Sequence, residues 1–120
     1  MSKTSSLGAW GEDIAEDYLR AKGYRTLARN WSCAAGEVDI VMRHDDEIVF
    51  VEVRLRSKTS YGAGLDTVAW QKQRKLIKTA QWYLQKTRQE HIPVRFDVVS
   101  IEHEDGQNPH IEYIEHAFET

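Results

Sequence analysis

The sequence contains one cysteine, two prolines and five scattered histidines among 120 residues. The single Cys33 cannot form an internal disulfide, so we expect a cytoplasmic protein in a reducing compartment. We interpret Cys33 as a structural or incidental thiol, because no nearby histidine pattern suggests an activated nucleophile. The histidines show no spacing typical of a zinc site.

Long apolar runs are also missing. None approaches the roughly 20 residues that a membrane span requires, and residues 1–6 lack the apolar stretch of a signal peptide. We therefore expect no membrane partner. A chain of this length has room for one domain, 1–120, with a moderate core. Neither an internal repeat nor a glycine-rich phosphate loop is present.

The net charge of −3 argues at first against a nucleic-acid partner, but the charges are unevenly distributed. The segment 54–78 holds one acid, Asp66, and many bases, whereas six acids and no lysine or arginine follow Ile101. Such a basic region would suit a phosphodiester-binding site. An ordinary solvated helix face would explain the helical lysines equally well. The basic residues are Arg54, Arg56, Lys58, Lys72, Arg74, Lys75 and Lys78.

Residues 36–56 alternate between apolar and charged side chains, which predicts two strands joined by a tight turn at Asp45 and Asp46. In each strand the apolar side chains point one way and the charged ones the other. The predicted apolar sets are Val38, Ile40, Met42 and Val49, Val51, Val53, Leu55. The predicted charged sets are Glu37, Asp39 and Glu52, Arg54, Arg56.

Antiparallel pairing about this turn sets Asp39 opposite Glu52 and Glu37 opposite Arg54. Facing residues have Cβ atoms about 5 Å apart, so the two carboxylates would repel each other. A divalent cation bound by hard oxygen ligands would offset that repulsion. Alternatively, these side chains form a solvated face with cross-strand salt bridges. The apolar run of residues 48–53 favours a buried strand, where a charge is rarely kept unless it is paired or metal-bound.

The remaining sequence predicts an α/β fold with a mixed central sheet and a helix on each face, since a helix joins the third strand to the fourth. Asp66 is a candidate cap of the second helix, and Glu12 lies on the first helix, where it is either a surface residue or directed towards the sheet edge. The predicted elements are a helix over 6–22, a strand over 24–31, the hairpin, a loop over 57–64, a helix over 67–89, a strand over 94–101 and an edge strand over 111–115.

This element order, with Gly-Glu-Val-Asp in one strand and Val-Glu-Val-Arg in the next, resembles the restriction-endonuclease-like superfamily with its Asp…(Asp/Glu)-x-Lys motif. More closely, the chain resembles the bacterial YraN family of predicted endonucleases, similar to archaeal Holliday-junction resolvases. The resemblance implies a restriction-endonuclease-like αβββαβ core. It extends from Leu7 to Phe118 and rests on residues 8–12, 15–19, 23–24, 29–30, 36–39, 50–56, Lys72, Ala80, 95–98 and 117–118.

The resemblance also implies a metal site. Asp39 and Glu52 would be the carboxylate ligands of Mg²⁺ or Mn²⁺, and the backbone carbonyl of Val53 would complete the protein's share. Glu12 matches the extra acid that resolvase-like members bring to the site. Glu37 is as well explained by a cross-strand ion pair with Arg54 as by a ligand role.

Arg54 departs from the motif, because the superfamily has a lysine two residues after the second-strand acid. Arginine stays charged and could not act as a base. It could still bind the scissile phosphate and stabilise the charge of the transition state. Water activation would then depend on the metal, with Glu12 as an acceptor through water.

The leading hypothesis is a metal-dependent endonuclease that cleaves DNA, in branched or flapped structures. Arg54 and Arg56 would contact phosphate oxygens, while Lys58 and Lys72 would guide the backbone. The first alternative is a non-catalytic nucleic-acid-binding module that keeps the nuclease fold. The second is a scaffold that binds proteins through the acidic C-terminal segment. Symmetric cleavage of two strands would require a homodimer, although no interface can be read from the sequence.

Overall fold

Five strands form one sheet in the computed structural model, which describes residues 6–57 and 68–119. Their spatial order follows the chain, β1-β2-β3-β4-β5. Neighbouring strands are antiparallel except for β3 and β4, which are parallel and are connected through α2. The predicted mixed α/β sheet with its crossover is confirmed. The elements are α1 (Leu7–Ala21), β1 (Arg25–Cys33), β2 (Gly36–His44), β3 (Glu47–Ser57), α2 (Trp70–Lys86), β4 (Val94–Glu104) and β5 (Gln107–Ile114).

Helix α1 begins where the sequence indicates, because the Ser6 hydroxyl accepts a hydrogen bond from the Ala9 amide at 3.0 Å. Gly11, Ala15 and Leu19 form its buried side. A Cβ at Gly11 would lie 2.7 Å from a methyl carbon of Leu55 on β3. The small residues therefore allow the helix to lie close against the sheet.

Helix α2 begins at Trp70, three residues later than predicted. Its N-cap is Ala69, which provides no side-chain cap, and the predicted cap Asp66 lies outside the described residues. The predicted loop over 57–64 also falls outside them, except for Ser57, which belongs to β3. The apolar residues Leu76, Ala80, Tyr83 and Leu84 of α2 are buried.

Two apolar clusters cover the two faces of the sheet. Strand β3 contributes alternate residues to each, Ile48 and Phe50 on the α2 side and Val49 and Val51 on the α1 side. The α1-side cluster is Ala15, Leu19, Tyr24, Ile40, Met42, Val49, Val51, Val99 and Ile101. The α2-side cluster includes Val38, Val41, Ile48, Phe50, Leu76, Ala80, Tyr83, Leu84, Phe96 and Val98.

The alternation predicted for β2 is wrong at one point. Val38 packs on the α2 side, although Ile40 packs on the α1 side. Their β1 partners are Trp31 and Arg29, and Asn30 between these partners has a positive φ of 51°. The left-handed backbone at Asn30 accompanies the change of face and leaves Asp39 between the two faces.

The register predicted for the β2–β3 hairpin is confirmed from His44–Glu47 to Ile40–Val51, about the two-residue turn at Asp45 and Asp46. The ladder ends at Ile40–Val51. The predicted pairings of Asp39 with Glu52 and of Glu37 with Arg54 are therefore not part of the ladder, and Glu37 pairs with Ser32 of β1. The two strands separate where the candidate acids lie. Within the part of the chain that is described, neither helix is long and apolar enough to cross a membrane.

Candidate metal and nucleic-acid cleft

Asp39 lies at the end of the β2–β3 ladder, between residues that face opposite sides of the sheet. Its carboxylate accepts a hydrogen bond from the backbone amide of Val53 at 2.8 Å. This side-chain contact continues the connection between the strands after the backbone ladder ends. It holds Asp39 next to the residue that follows Glu52.

The carbonyl of Val53 faces the same gap. In an extended strand the N–H and C=O of one residue point towards the same edge. Since the Val53 amide is directed at Asp39, the Val53 carbonyl is directed towards β2 as well. This arrangement agrees with the third ligand that the resemblance implies.

Glu52 is on β3 and is 7% exposed, although it carries a charge. Its Oε2 lies 2.8 Å from Nζ of Lys72, in the first turn of α2. The helix therefore supplies a counter-charge for this buried acid. Lys72 is half exposed, with 55% of its side chain accessible, so its ammonium reaches the site from solvent.

Burial raises the pKa of Asp39 from its ordinary value of 3.8 to about 7. The negative charge of Glu52 adds to this increase, and that of Glu12 contributes further. The hydrogen bond from the Val53 amide and the charge of Lys72 act in the opposite direction. The two carboxyl groups are thus close enough to influence each other, and the local positive charge does not balance them.

A cleft of about 510 Å³ opens beside the two acids, between β2, β3 and the start of α2. One wall carries carboxylates and the opposite wall carries ammonium groups. Lys75 also lines this cleft, although the sequence assigned it only to a general basic region. The lining residues are Gly36, Glu37, Asp39, Glu52, Ala69, Gln71, Lys72, Lys75 and Leu76.

Glu12 is largely buried on the α1 side, with 16% of its side chain accessible. The structure thus excludes the surface position that a lone helical glutamate suggested. Its Oε1 accepts hydrogen bonds from Arg29 at 3.3 Å and from Asn30 at 3.0 Å. Glu12 lines a second cleft, which shares Glu37 with the first. It influences Asp39 through its charge, while its own carboxylate is held by β1.

Sequence reasoning assigned no role to Arg29, which binds three acids of α1. Its guanidinium contacts Glu12, Asp13 and Glu16 at 3.3, 3.2 and 2.8 Å. Arg29 and Asn30 lie in one of the short blocks that carry the family resemblance, which was the available signal. Their hydrogen bonds hold the Glu12 side chain in its partly buried position.

The four residues predicted to contact the nucleic-acid backbone differ in how they lie relative to the two acids. Arg54 and Arg56 follow Glu52 at alternate positions of β3, so they share its side of the sheet, and both are partly buried and engaged in interactions. Lys72 reaches the acids directly. Lys58 lies outside the described residues.

A cation at this site would have two carboxylates and one carbonyl as protein ligands. The described ranges contain no group of three or more His, Cys, Asp or Glu side chains arranged to hold a metal. Mg²⁺ commonly binds through one or two carboxylates and completes its shell with water and phosphate oxygens. The donor set of Asp39, Glu52 and Val53 fits that chemistry.

The fold and the cleft define a class: a small mixed α/β domain in which paired acids face a basic helix. The chain belongs to the UPF0102 (YraN) family, since residues 11–101 match the model described as "Uncharacterised protein family UPF0102". UPF0102 proteins similar to it occur in Stutzerimonas stutzeri (46% identity, 100% of both chains) and in Syntrophotalea carbinolica (42%, 96% of this chain and 93% of the other). Another, from Legionella pneumophila, is 38% identical over 98% of both chains.

Proposed function

We propose that this protein is an endonuclease of the restriction-endonuclease-like superfamily that cleaves DNA with the help of Mg²⁺ or Mn²⁺. The observation that carries the proposal is the convergence of Asp39 and Glu52 on one cleft whose other wall holds Lys72 and Lys75. Paired acids suit a hard cation, and the lysines suit a phosphate backbone. The αβββαβ order of elements supports the superfamily assignment.

Asp39, Glu52 and the Val53 carbonyl would hold the cation. When bound, it would polarise the scissile phosphate and lower the pKa of a bound water. The hydrogen bond from the Val53 amide uses Oδ2 of Asp39, which leaves Oδ1 for a ligand role. Burial of Glu52 limits competition from bulk water for the second carboxylate.

The basic residues would orient the substrate. Lys75 at the cleft wall would attract the backbone, and Lys72 would contact a phosphate when it leaves Glu52. Arg54, in place of the superfamily's lysine, would stabilise transition-state charge without accepting a proton. Glu12, held by Arg29, would act on the site through its charge.

A non-catalytic nucleic-acid-binding module is the second candidate, and the ion pair between Lys72 and Glu52 favours it. At 2.8 Å the ammonium neutralises Glu52 without a metal. A module of this kind would bind DNA through its lysines and form no product with Mg²⁺ or Mn²⁺.

The test is a panel of labelled linear, flapped and branched DNA substrates with Mg²⁺ or Mn²⁺. We expect metal-dependent cleavage by the native protein and its loss in Asp39→Ala and Glu52→Ala. Asp17→Ala is the matched control, since Asp17 is an exposed acid on α1. Circular dichroism would establish that each variant is folded.

Two outcomes would contradict the proposal. Cleavage that is unchanged in Glu52→Ala would identify a contaminating nuclease. DNA binding with steep salt dependence but no product from any substrate would support the non-catalytic module instead.

A further inference from the structure

Four exposed side chains follow one another along α2 at intervals of four residues. They are Trp70, Arg74, Lys78 and Trp82, and we call them the α2 ridge. Residues four apart on a helix are neighbours on one face. From the first tryptophan to the second, the ridge spans about 18 Å at the usual helical rise per residue.

The tryptophans of the ridge do not serve the core. Trp70 is 67% exposed and Trp82 is 46% exposed. Other α2 residues, among them Leu76, Ala80 and Tyr83, pack against the sheet. The guanidinium of Arg74 lies 5.4 Å from the centre of the Trp70 ring. A single exposed tryptophan needs no explanation, but two that flank two cations form a recognisable surface.

The charge of α2 indicates what this surface binds. The helix contains five lysines and arginines and no aspartate or glutamate, although the whole chain carries a net charge of −3. In a symmetric dimer through the ridge, the same patch of each copy would face the other and like charges would meet. A polyanion is the complementary partner.

We propose that the α2 ridge binds an unpaired DNA strand. Arg74 and Lys78 contact its phosphates, while Trp70 and Trp82 stack on exposed bases. Basic grooves with interleaved aromatic side chains bind single strands in this way, because every base has a face to stack. The inference rests on the proposed function and specifies its substrate as DNA with a single-stranded arm.

The ridge is continuous with the candidate cleft. Ala69 and Gln71, on either side of Trp70, both line the cleft, as do Lys72 and Lys75. A strand that leaves the cleft therefore meets Trp70 first. The bases of a duplex are already stacked on one another, so a duplex would contact the cations of the ridge but not its indole rings.

The test measures binding without metal, by fluorescence anisotropy of a labelled oligo(dT) and of a labelled duplex. Trp70→Ala and Trp82→Ala should each weaken oligo(dT) binding by about five- to a hundredfold and leave duplex binding nearly unchanged. Arg74→Gln should weaken both and lower the salt slope by about one. Because both tryptophans are exposed, these variants should remain folded.

Gln81→Ala is the matched control, since Gln81 is an exposed neutral residue of the same helix. Trp82→Tyr keeps an aromatic ring and should retain most of the affinity. Tryptophan-dependent binding of oligo(dT) by a protein that forms no cleavage product would count against the nuclease and in favour of the ridge.

Three results would overturn the inference. The first is an equal loss of oligo(dT) and duplex binding in the tryptophan variants. The second is tighter binding of oligo(U) than of oligo(dT), which would identify RNA. The third is a dimer in sedimentation experiments that Trp82→Ala abolishes, which would identify the ridge as an interface between two copies.

Discussion

Nζ of Lys72 lies 2.8 Å from Oε2 of Glu52, so a half-exposed cation from a helix neutralises a buried acid on a central strand. A divalent cation that binds Glu52 must compete with this ammonium. The lysine therefore has two positions in the proposed reaction: on Glu52 in the metal-free protein, and free to contact phosphate when a cation is bound.

The first prediction concerns this competition. Lys72→Gln should raise the affinity of the site for Mn²⁺ about two- to fivefold, because a partly exposed ion pair is worth up to about 1 kcal/mol. Isothermal titration calorimetry in the absence of DNA measures the change. Lys78→Gln removes the same charge from the exposed ridge and should have a smaller effect. Equal effects in the two variants, or weaker binding in Lys72→Gln, would contradict the competition.

The second prediction concerns the stability of the metal-free protein and its pH dependence. The folded state holds the Asp39 proton up to about pH 7, whereas the unfolded chain releases it near 3.8. The folded state thus binds more protons between these values, and this group lowers the free energy of unfolding as the pH rises through that window. Asp39→Asn removes the effect and retains an acceptor for the Val53 amide.

From pH 5 to pH 8 we expect the free energy of unfolding of the native protein to fall relative to that of Asp39→Asn. Urea unfolding in EDTA at several pH values would measure it. Asp17→Asn, at an exposed helical acid, should show no such trend. A difference that is independent of pH would mean that Asp39 is ionised throughout.

Much of this fold could be predicted because alternation and helical periodicity report which side chains are buried. The apolar alternation of β3 predicted its two faces, and the helix between β3 and β4 predicted their parallel pairing. The positions of Asp39 and Glu52 in neighbouring strands followed from the turn at Asp45 and Asp46.

The features of the structure that the sequence did not predict depend on irregular backbone or on contacts between distant segments. The left-handed Asn30 and the change of face before Ile40 have no periodic signal. The contact of Arg29 with Glu12 joins residues 17 apart in different elements, so local spacing does not predict it. The sequence predicts that Lys72 guides the nucleic-acid backbone, but its contact with Glu52 depends on how α2 packs against the sheet, which local spacing does not predict.

The third prediction concerns Gly36, which lines the cleft and lies against Thr79 of α2. Its φ is +152°, and an added Cβ would lie 2.9 Å from Oγ1 of the fully buried Thr79. Gly36→Ala should cost about 1–3 kcal/mol from backbone strain and overpacking. Thermal unfolding should show a melting temperature lower by several degrees.

Gly23→Ala separates the two causes, because Gly23 also has a positive φ, +99°, but a Cβ there meets nothing within 4 Å. It should destabilise less than Gly36→Ala if the contact with Thr79 matters. Thr79→Ala removes the hydroxyl that the new Cβ would meet. Gly36→Ala should therefore cost less stability when it is added to Thr79→Ala than when it is added to the native protein. An equal cost in the two backgrounds would refute the contact.

The fourth prediction concerns a buried ion pair on the α1 side of the sheet. Arg95 is 7% exposed and Asp97 is 1% exposed, with 2.9 Å between Nη2 and Oδ2. Asp97 also accepts hydrogen bonds from the Tyr113 hydroxyl and the His116 amide. The carboxylate thus connects β4 to β5 and to the segment that follows it.

Asp97→Asn should lower the free energy of unfolding by about 3–5 kcal/mol, because it leaves the buried Arg95 without its main partner. Urea unfolding at neutral pH would measure the loss. Glu47→Gln is the matched control, since Glu47 also contacts Arg95, at 3.0 Å, but is 33% exposed. It should cost about 1 kcal/mol or less. Equal losses in the two variants would mean that burial does not distinguish the two acids, and Asp97 would then have no special role in joining β4 to β5.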